Sequence, residues 1–222
     1  VAASAGPTNR EIQVVSMNFA EWEPHYVAIL GYFGFDRAQD EEAARLLATL
    51  TGRDDLPLLV SLCKDRHVTV CGNAPCLMNE LKKIRGSVFA ADAAADVLDG
   101  HGIRPDAIFT DLDGASERFI EMNRAGTVLV VHAHGDNMPL LRHWVPNLPG
   151  PVVATTQSAP LAHVHNFGGF SDGDRAVFAA DALGAAGITI IGFDLDDDEV
   201  DPVKRGKLVW AKKLLSLIGH EC

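Results

Sequence analysis

The sequence of 222 residues predicts an α/β protein: an open, mainly parallel Rossmann-like sheet with helices on both faces, preceded by a small helical N-terminal subdomain. Three observations predict it. Hydrophobic residues make up 47% and charged residues 22%, which supplies a real core and excludes a disordered or fibrous chain. From Val68 onward, short β-branched runs are each followed by Gly, Asp or Asn and then by a helical segment. Finally, each run delivers a polar cluster just past its carboxyl end, the edge along which open parallel sheets bind ligands.

Residues 1–66 form the expected helical subdomain and 67–222 the α/β domain that would carry the chemistry. The opening Val1–Thr8, small, polar and without a leading Met, reads as a trimmed or tagged start. Asn18 is suited to cap a helix through Tyr32, and Asp40-Glu41-Glu42 opens a second one reaching Leu50, because acidic side chains complement a helix N-terminus. Gly52 stops it, and a third short helix is expected around Leu58–Cys63. The carboxylates of this part read as a solvated face without chemistry.

Strands are expected at Val68–Cys71, Ser87–Ala90, Ala107–Phe109, Val128–Val131, Val152–Ala154 and Thr189–Gly192. Helices follow near Pro75–Ile84, Ala93–His101, Glu117–Arg124, Met138–Trp144, Asp174–Ala185 and Lys204–Ile218. A Gly- and His-rich insert, residues 155–173, separates the fifth strand from its helix.

Nineteen basic against thirty acidic residues leave a formal charge of −11, which repels phosphodiester backbones. With no basic stripe longer than Lys212-Lys213, a nucleic-acid-binding role is excluded, and an anionic small ligand would need a metal bridge. Cys63, Cys71, Cys76 and Cys222 are too few and too irregular for a disulfide framework, and Cys71-x4-Cys76 lacks the second pair of a zinc knuckle. They read as buried thiols in a reducing compartment. No apolar run approaches the roughly 20 residues of a membrane span, so a soluble, cytoplasmic protein without a membrane partner is expected, with self-association left open.

Among the polar clusters, Asp111 and Asp113 flank one apolar residue; if the strand continues to them, both carboxylates point the same way and can grip one hard cation. Asp92 leaves an apolar strand among small residues, and Asp136 follows the fourth strand, so either could complete the set. The alternative is a series of turn and N-cap aspartates. His132-Ala133-His134 and His163-Val164-His165 also admit zinc, although abundant aspartates favour a harder ion. Glycines at 168, 169 and 173 permit close backbone approach, and Phe167 and Phe170 offer stacking surfaces for a flat heterocycle. Asp174 reads equally as a helix cap. Asp194 ends the last strand, and Lys204 or Lys207 could reach back over the sheet edge to a phosphate.

Taken together, Gly72-Asn73-Ala74-Pro75, Ala91-Asp92-Ala93, Thr110-Asp111-Leu112-Asp113-Gly114, the segment His132 to Asn137, Thr155-Thr156-Gln157 and the segment Asn166 to Arg175 resemble the archaeal 6-hydroxymethyl-7,8-dihydropterin pyrophosphokinases. Those enzymes look distantly like the catalytic domain of thiamin pyrophosphokinase. The likeness runs from about Val68 to Lys213, with Ala93-Ala94 where the family has Gly-Ala, and Gly72-Asn73-Ala74-Pro75-Cys76 for its Gly-x-Gly-Pro-Ser turn. Flagellar-accessory glycosylation proteins share the domain. The resemblance implies Mg²⁺-dependent transfer of pyrophosphate from ATP to the pterin hydroxymethyl group, releasing AMP. It implies Asp92, Asp111, Asp113 and Asp136 as metal ligands, and Asp111, Asp113, Asp136 and His132 as catalytic. Gly72, Asn73, Pro75, Thr156, Gln157, Lys204 and Lys207 would face ATP, and Asn166, Gly168, Gly169, Asp172 and Arg175 the pterin. Two rivals stand: a haloacid-dehalogenase-like phosphatase with Asp111 as nucleophile and Asp113 as general acid, and a silent nucleotide-binding module.

Overall fold

The predicted β-branched runs become strands, those of the sheet interior buried on both faces as a parallel sheet clothed with helices requires and the run at the edge only partly buried. In the computed structural model, which describes residues 17–220, these are β1 (His67–Cys71), β2 (Ser87–Ala91), β3 (Ala107–Thr110), β4 (Val128–Ala133), β5 (Val152–Thr156), β6 (Val164–His165) and β7 (Gly187–Ile191). The expected start at Val1–Thr8 and the thiol of Cys222 lie outside the described residues. The strands form one sheet in the order β6-β5-β4-β3-β2-β1-β7, every neighbouring pair parallel. From β1 to β6 the chain winds in one direction. It then returns past five strands to lay β7 beside β1, so the winding reverses at β1, where a ligand crevice opens.

The helices are α1 (Phe19–Phe33), α2 (Arg37–Leu50), α3 (Leu56–Cys63), α4 (Leu77–Glu80), α5 (Ala94–Gly100), α6 (Glu117–Arg124), α7 (Met138–Trp144), α8 (Asp172–Ala182) and α9 (Pro202–Leu217). One apolar layer joins α2, α5, α6 and α7 to the sheet through Leu47, Leu98, Phe119 and Leu141. A second puts α3 and α8 on the opposite face through Leu59, Cys63, Val177 and Ala180. A third packs Trp22, Tyr26 and Ile29 of α1 against Phe178 of α8 and against Trp210 and Leu214 of α9. The first three helices are thus built into the same layers that enclose the sheet.

Several expectations are corrected. The second helix begins at Arg37 with Asp36 as its cap, whose Oδ1 accepts the Ala38 N–H at 2.9 Å, so Asp40 lies inside the first turn and is 3% exposed rather than solvated. The helix expected over Pro75–Ile84 shrinks to α4 plus one 3-10 turn, because the chain must reverse at Gly86, φ 70°, to enter β2. Edge strand β6 inside the insert has only two residues, too few to show alternation.

Candidate active site

Asp92 follows β2 in the left-handed region, φ 42°, while its N–H still donates to the Phe109 carbonyl at 2.8 Å. Its Oδ1 accepts the Thr110 hydroxyl at 2.7 Å, and that oxygen in turn accepts the Leu112 N–H at 2.8 Å. Strand β3 stops at Thr110, so strand alternation does not align the two aspartates. Instead Leu112 turns at φ 72° and sinks into the first apolar layer, leaving Asp111 and Asp113 on the rim. Non-glycine residues at positive φ on two adjacent strand ends are strain of the kind that functional sites hold. Gly114 closes the motif: a Cβ there would overlap the Asp92 carboxylate.

Asp111 is gripped from two sides. Its Oδ2 lies 3.3 Å from His134 Nε2, and its Oδ1 accepts the Asp113 N–H at 3.2 Å. Asn137 ties the segment together, donating through Nδ2 to the carbonyls of Asp111 and His132 and accepting the His134 N–H. Burial alone would raise Asp111, but the His134 bond and the Arg175 charge hold it well below the ordinary carboxylate range. Its neighbours go the other way. Burial, then the charges of Asp113 and Asp111, lift Asp92 to about 6 against the Thr110 bond. Burial and the Asp111 charge lift Asp113 as well. Asp172, the first residue of α8, is pushed well up by burial and by Asp111, Asp92 and Asp113, and its Oδ1 accepts Arg175 Nη1 at 3.1 Å.

Four carboxylates, from the ends of β2 and β3 and the start of α8, therefore lie close enough to feel one another's charge. Two cavities meet at them. The larger, about 350 Å³, lies at the winding reversal between Gly72–Pro75, Asp92, Phe193, Asp194 and Lys204. The smaller, about 160 Å³, is lined by Asp111, Asp113, Asp136, Gln157, Arg175 and Lys207, with Phe35 and Phe170 at its wall. Ser171 and Asp172 border both.

Asp136 is exposed and, of these two cavities, borders the smaller, apart from the four. Among the described residues no three His, Cys, Asp or Glu side chains are arranged to hold a metal ion as they stand. The donor set still suits a hard cation, being carboxylate oxygens that raise one another's proton affinity and would be relieved by positive charge. His132 is 3% exposed, and burial drives its imidazole well toward the neutral form.

The structure divides the remaining expected residues. Gln157 and Lys207 border the smaller cavity, not the larger one with Lys204. The Thr156 hydroxyl bonds the Ser158 hydroxyl at 3.0 Å in a buried turn. Asn166 spends both amide hydrogens on the carbonyls of Gln157 and Ser158, and its Oδ1 accepts the Gly168 N–H, so its donors are used within the loop. Gly168 and Gly169, at φ 88° and 84°, let the loop pass the Phe178 ring and the Arg175 backbone. Asp174 caps α8 through Ser171. Phe170 borders the smaller cavity, whereas Phe167 stacks on His165. His163 and His165 turn to Asp54, at 3.9 and 2.9 Å.

Sequence reasoning missed His134 as the partner of Asp111, for which the His-x-His spacing was a signal. It also missed Asp40, hidden in an acidic first turn. That carboxylate accepts Tyr26 Oη and Gln157 Nε2 on Oδ2, both at 2.8 Å, and the Gly135 N–H on Oδ1 at 2.9 Å.

The model of the MptE-like family, described as 6-hydroxymethylpterin diphosphokinase MptE-like, matches residues 42–200. A protein of Methanothermobacter thermautotrophicus named 6-hydroxymethyl-7,8-dihydropterin pyrophosphokinase is 42% identical over 224 residues, covering 90% of this chain and 94% of its own length. Proteins of the same name from Pyrococcus furiosus and Methanocaldococcus jannaschii are 41% and 33% identical, over 80% and 91% of this chain and 78% and 96% of their own lengths.

Proposed function

The chain belongs to the MptE-like 6-hydroxymethylpterin diphosphokinase family, and from that premise we propose how its rim performs pyrophosphate transfer in pterin biosynthesis. The protein is an enzyme, a pyrophosphokinase. We infer that ATP is the donor and 6-hydroxymethyl-7,8-dihydropterin the acceptor. The observation that carries the assignment is the meeting of two cavities at the carboxylates of Asp92, Asp111, Asp113 and Asp172.

ATP takes the larger cavity, at the winding reversal, with its phosphates directed toward Asp172 and Lys204. The pterin takes the smaller, where Phe35 and Phe170 supply apolar walls for a flat ring. The hydroxymethyl oxygen bonds to the β-phosphorus, the bond from that phosphorus to the α–β bridging oxygen breaks, and AMP leaves with the electron pair. Asp136, exposed on the acceptor side, receives the hydroxyl proton. Lys207 and Arg175 bring positive charge to the junction. Positioning and charge neutralisation carry such transfers, with little covalent help from protein. Asp92, Asp111, Asp113 and Asp172 would hold Mg²⁺, which would offset the phosphate charge that a bare carboxylate cluster repels.

The family match favours this reading over a phosphatase built on Asp111 and Asp113 and over a silent binding module. The test is AMP release from purified protein given Mg-ATP and the pterin. AMP should form only when both substrates are present, and AMP formation without the pterin would overturn the proposal.

A further inference from the structure

Three buried polar atoms at or behind the wall of the smaller cavity have no hydrogen-bond partner: Gln157 Oε1 and Arg175 Nε, whose residues line it, and His132 Nε2, whose ring lies behind it with its centroid 6.4 Å from that of the lining His134. Leaving such groups unpaired costs stability, so each is suited to a ligand. Their hydrogen-bonding sense is fixed by their neighbours. Asp40 offers Gln157 only an acceptor, since its Oδ2 already takes the Tyr26 hydroxyl; the amide must turn Nε2 to Asp40 and leave Oε1 as a bare acceptor. The Gln157 carbonyl is held separately by Trp22 Nε1 at 2.8 Å and Asn166 Nδ2 at 3.0 Å. Thr155 Oγ1 gives its one hydrogen to the Val131 carbonyl at 3.1 Å, so it can only accept from His132 Nδ1, also at 3.1 Å. Nε2 of His132 is thereby a lone-pair acceptor. The ring feels the charges of Arg175, His134 and Asp111, all of which border the cavity. Arg175 spends Nη1 on Asp172 and keeps Nε–H as a donor.

We propose that Gln157 Oε1, His132 Nε2 and Arg175 Nε read the amino, lactam N–H and carbonyl edge of the pterin, with Asp40 as the positioning residue that sets the sense of Gln157. Two acceptors and one donor on the protein match two donors and one acceptor on that edge. This rests on the pterin assignment above, and it moves Gln157 and His132 to acceptor-substrate recognition.

The test compares the pterin with its 2-oxo analogue, 6-hydroxymethyl-7,8-dihydrolumazine, which lacks the exocyclic amino donor. The wild type should prefer the pterin by at least ~10-fold in kcat/KM, the usual scale for leaving a buried acceptor unmatched. Gln157→Met should lose most of that preference and raise the pterin KM, with the ATP KM unchanged. Asp40→Asn, free to turn its own amide and that of Gln157, should raise the pterin KM while kcat at saturation stays near wild type. If Asp40→Asn fails to fold by circular dichroism, Gln157→Met alone decides. A Gln157→Met enzyme that keeps the preference, or that raises the ATP KM instead, overturns the inference. Wild-type protein that releases no AMP with the pterin takes the functional reading down with it, whereas an active wild type and an indifferent Gln157→Met remove this inference alone.

Discussion

Gly114 occupies the one place where the Asp92 carboxylate leaves no room for a Cβ, and its backbone is not in the left-handed region. A methyl group there meets a carboxylate oxygen rather than a strained backbone. Gly114→Ala should therefore fold and melt close to wild type while displacing Asp92 and breaking its bond with Thr110. We expect steady-state AMP release to fall by about 100-fold, the scale of losing one oriented charged group in a site built on positioning. Activity within twofold of wild type would show that the Asp92 position is not needed.

Asp92 also makes stability depend on pH. Its carboxyl stands at about 6 in the fold against an ordinary 3.8, because burial and its acidic neighbours disfavour the charge. The folded chain then holds the proton more tightly than the unfolded chain does. Stability from this group is greatest below the unfolded value and is lost as pH rises through about 6. Asp92→Asn keeps an oxygen for the Thr110 hydroxyl and removes the charge, so urea denaturation at pH 7 should show a gain of about 1–2 kcal/mol and a flatter profile between pH 4 and 6. Turnover should be lost in the same variant, as expected where function holds a destabilising charge.

The two lysines should separate kinetically. Lys204 borders the larger cavity and Lys207 the smaller, beside Asp113. Lys204→Ala should raise the ATP KM by ~10-fold and leave the pterin KM alone, the size expected for one charge-assisted phosphate contact. Lys207→Ala should lower kcat with little effect on the ATP KM. Initial-rate measurements varying each substrate at saturation of the other distinguish the two patterns.

Burial pushes the thiols of Cys63 and Cys71 up to about 12, so neither presents a thiolate at neutral pH. Both should resist iodoacetamide at pH 8 until the protein is unfolded. Cys71→Ala should keep full turnover and cost about 1 kcal/mol of stability, whereas Asp111→Asn should abolish turnover. Loss of activity in Cys71→Ala without unfolding would give that thiol a role the fold does not suggest.

The sheet was legible because its interior strands are buried on both faces and punctuated by turn residues, and the rim placement of Asp111, Asp113 and Asp92 was legible because they follow those strands. What escaped depends on chain direction in space. Asp172 was expected on the pterin side, but its place beside the other carboxylates escaped, because only the return of the chain toward β7 brings it within reach of the Asp111 charge. Asp40 sits among acidic neighbours that do face water, and nothing in Asp40-Glu41-Glu42 tells which one the packing of α1 and α2 will bury. The alternation argument for Asp111 and Asp113 reached the right placement by the wrong route, since a left-handed Leu112 sets it. Asn166 and Thr156 are polar residues in a Gly-rich loop whose hydrogen bonds proved to be internal. Unsatisfied backbone groups in a loop make equal use of such side chains.

Because β7 completes the sheet beside β1, the first strand waits with an open edge until β2 to β6 have all been synthesised. The helix that delivers Asp172 and Arg175 likewise comes only after β6. A ribosome-bound fragment ending before β7 contains β1 to β6 but lacks the strand that closes one side of the larger cavity. Completion of that side of the rim thus depends on a contact between β1 and β7, which are far apart in sequence, and not on the successive local winding of β1 to β6.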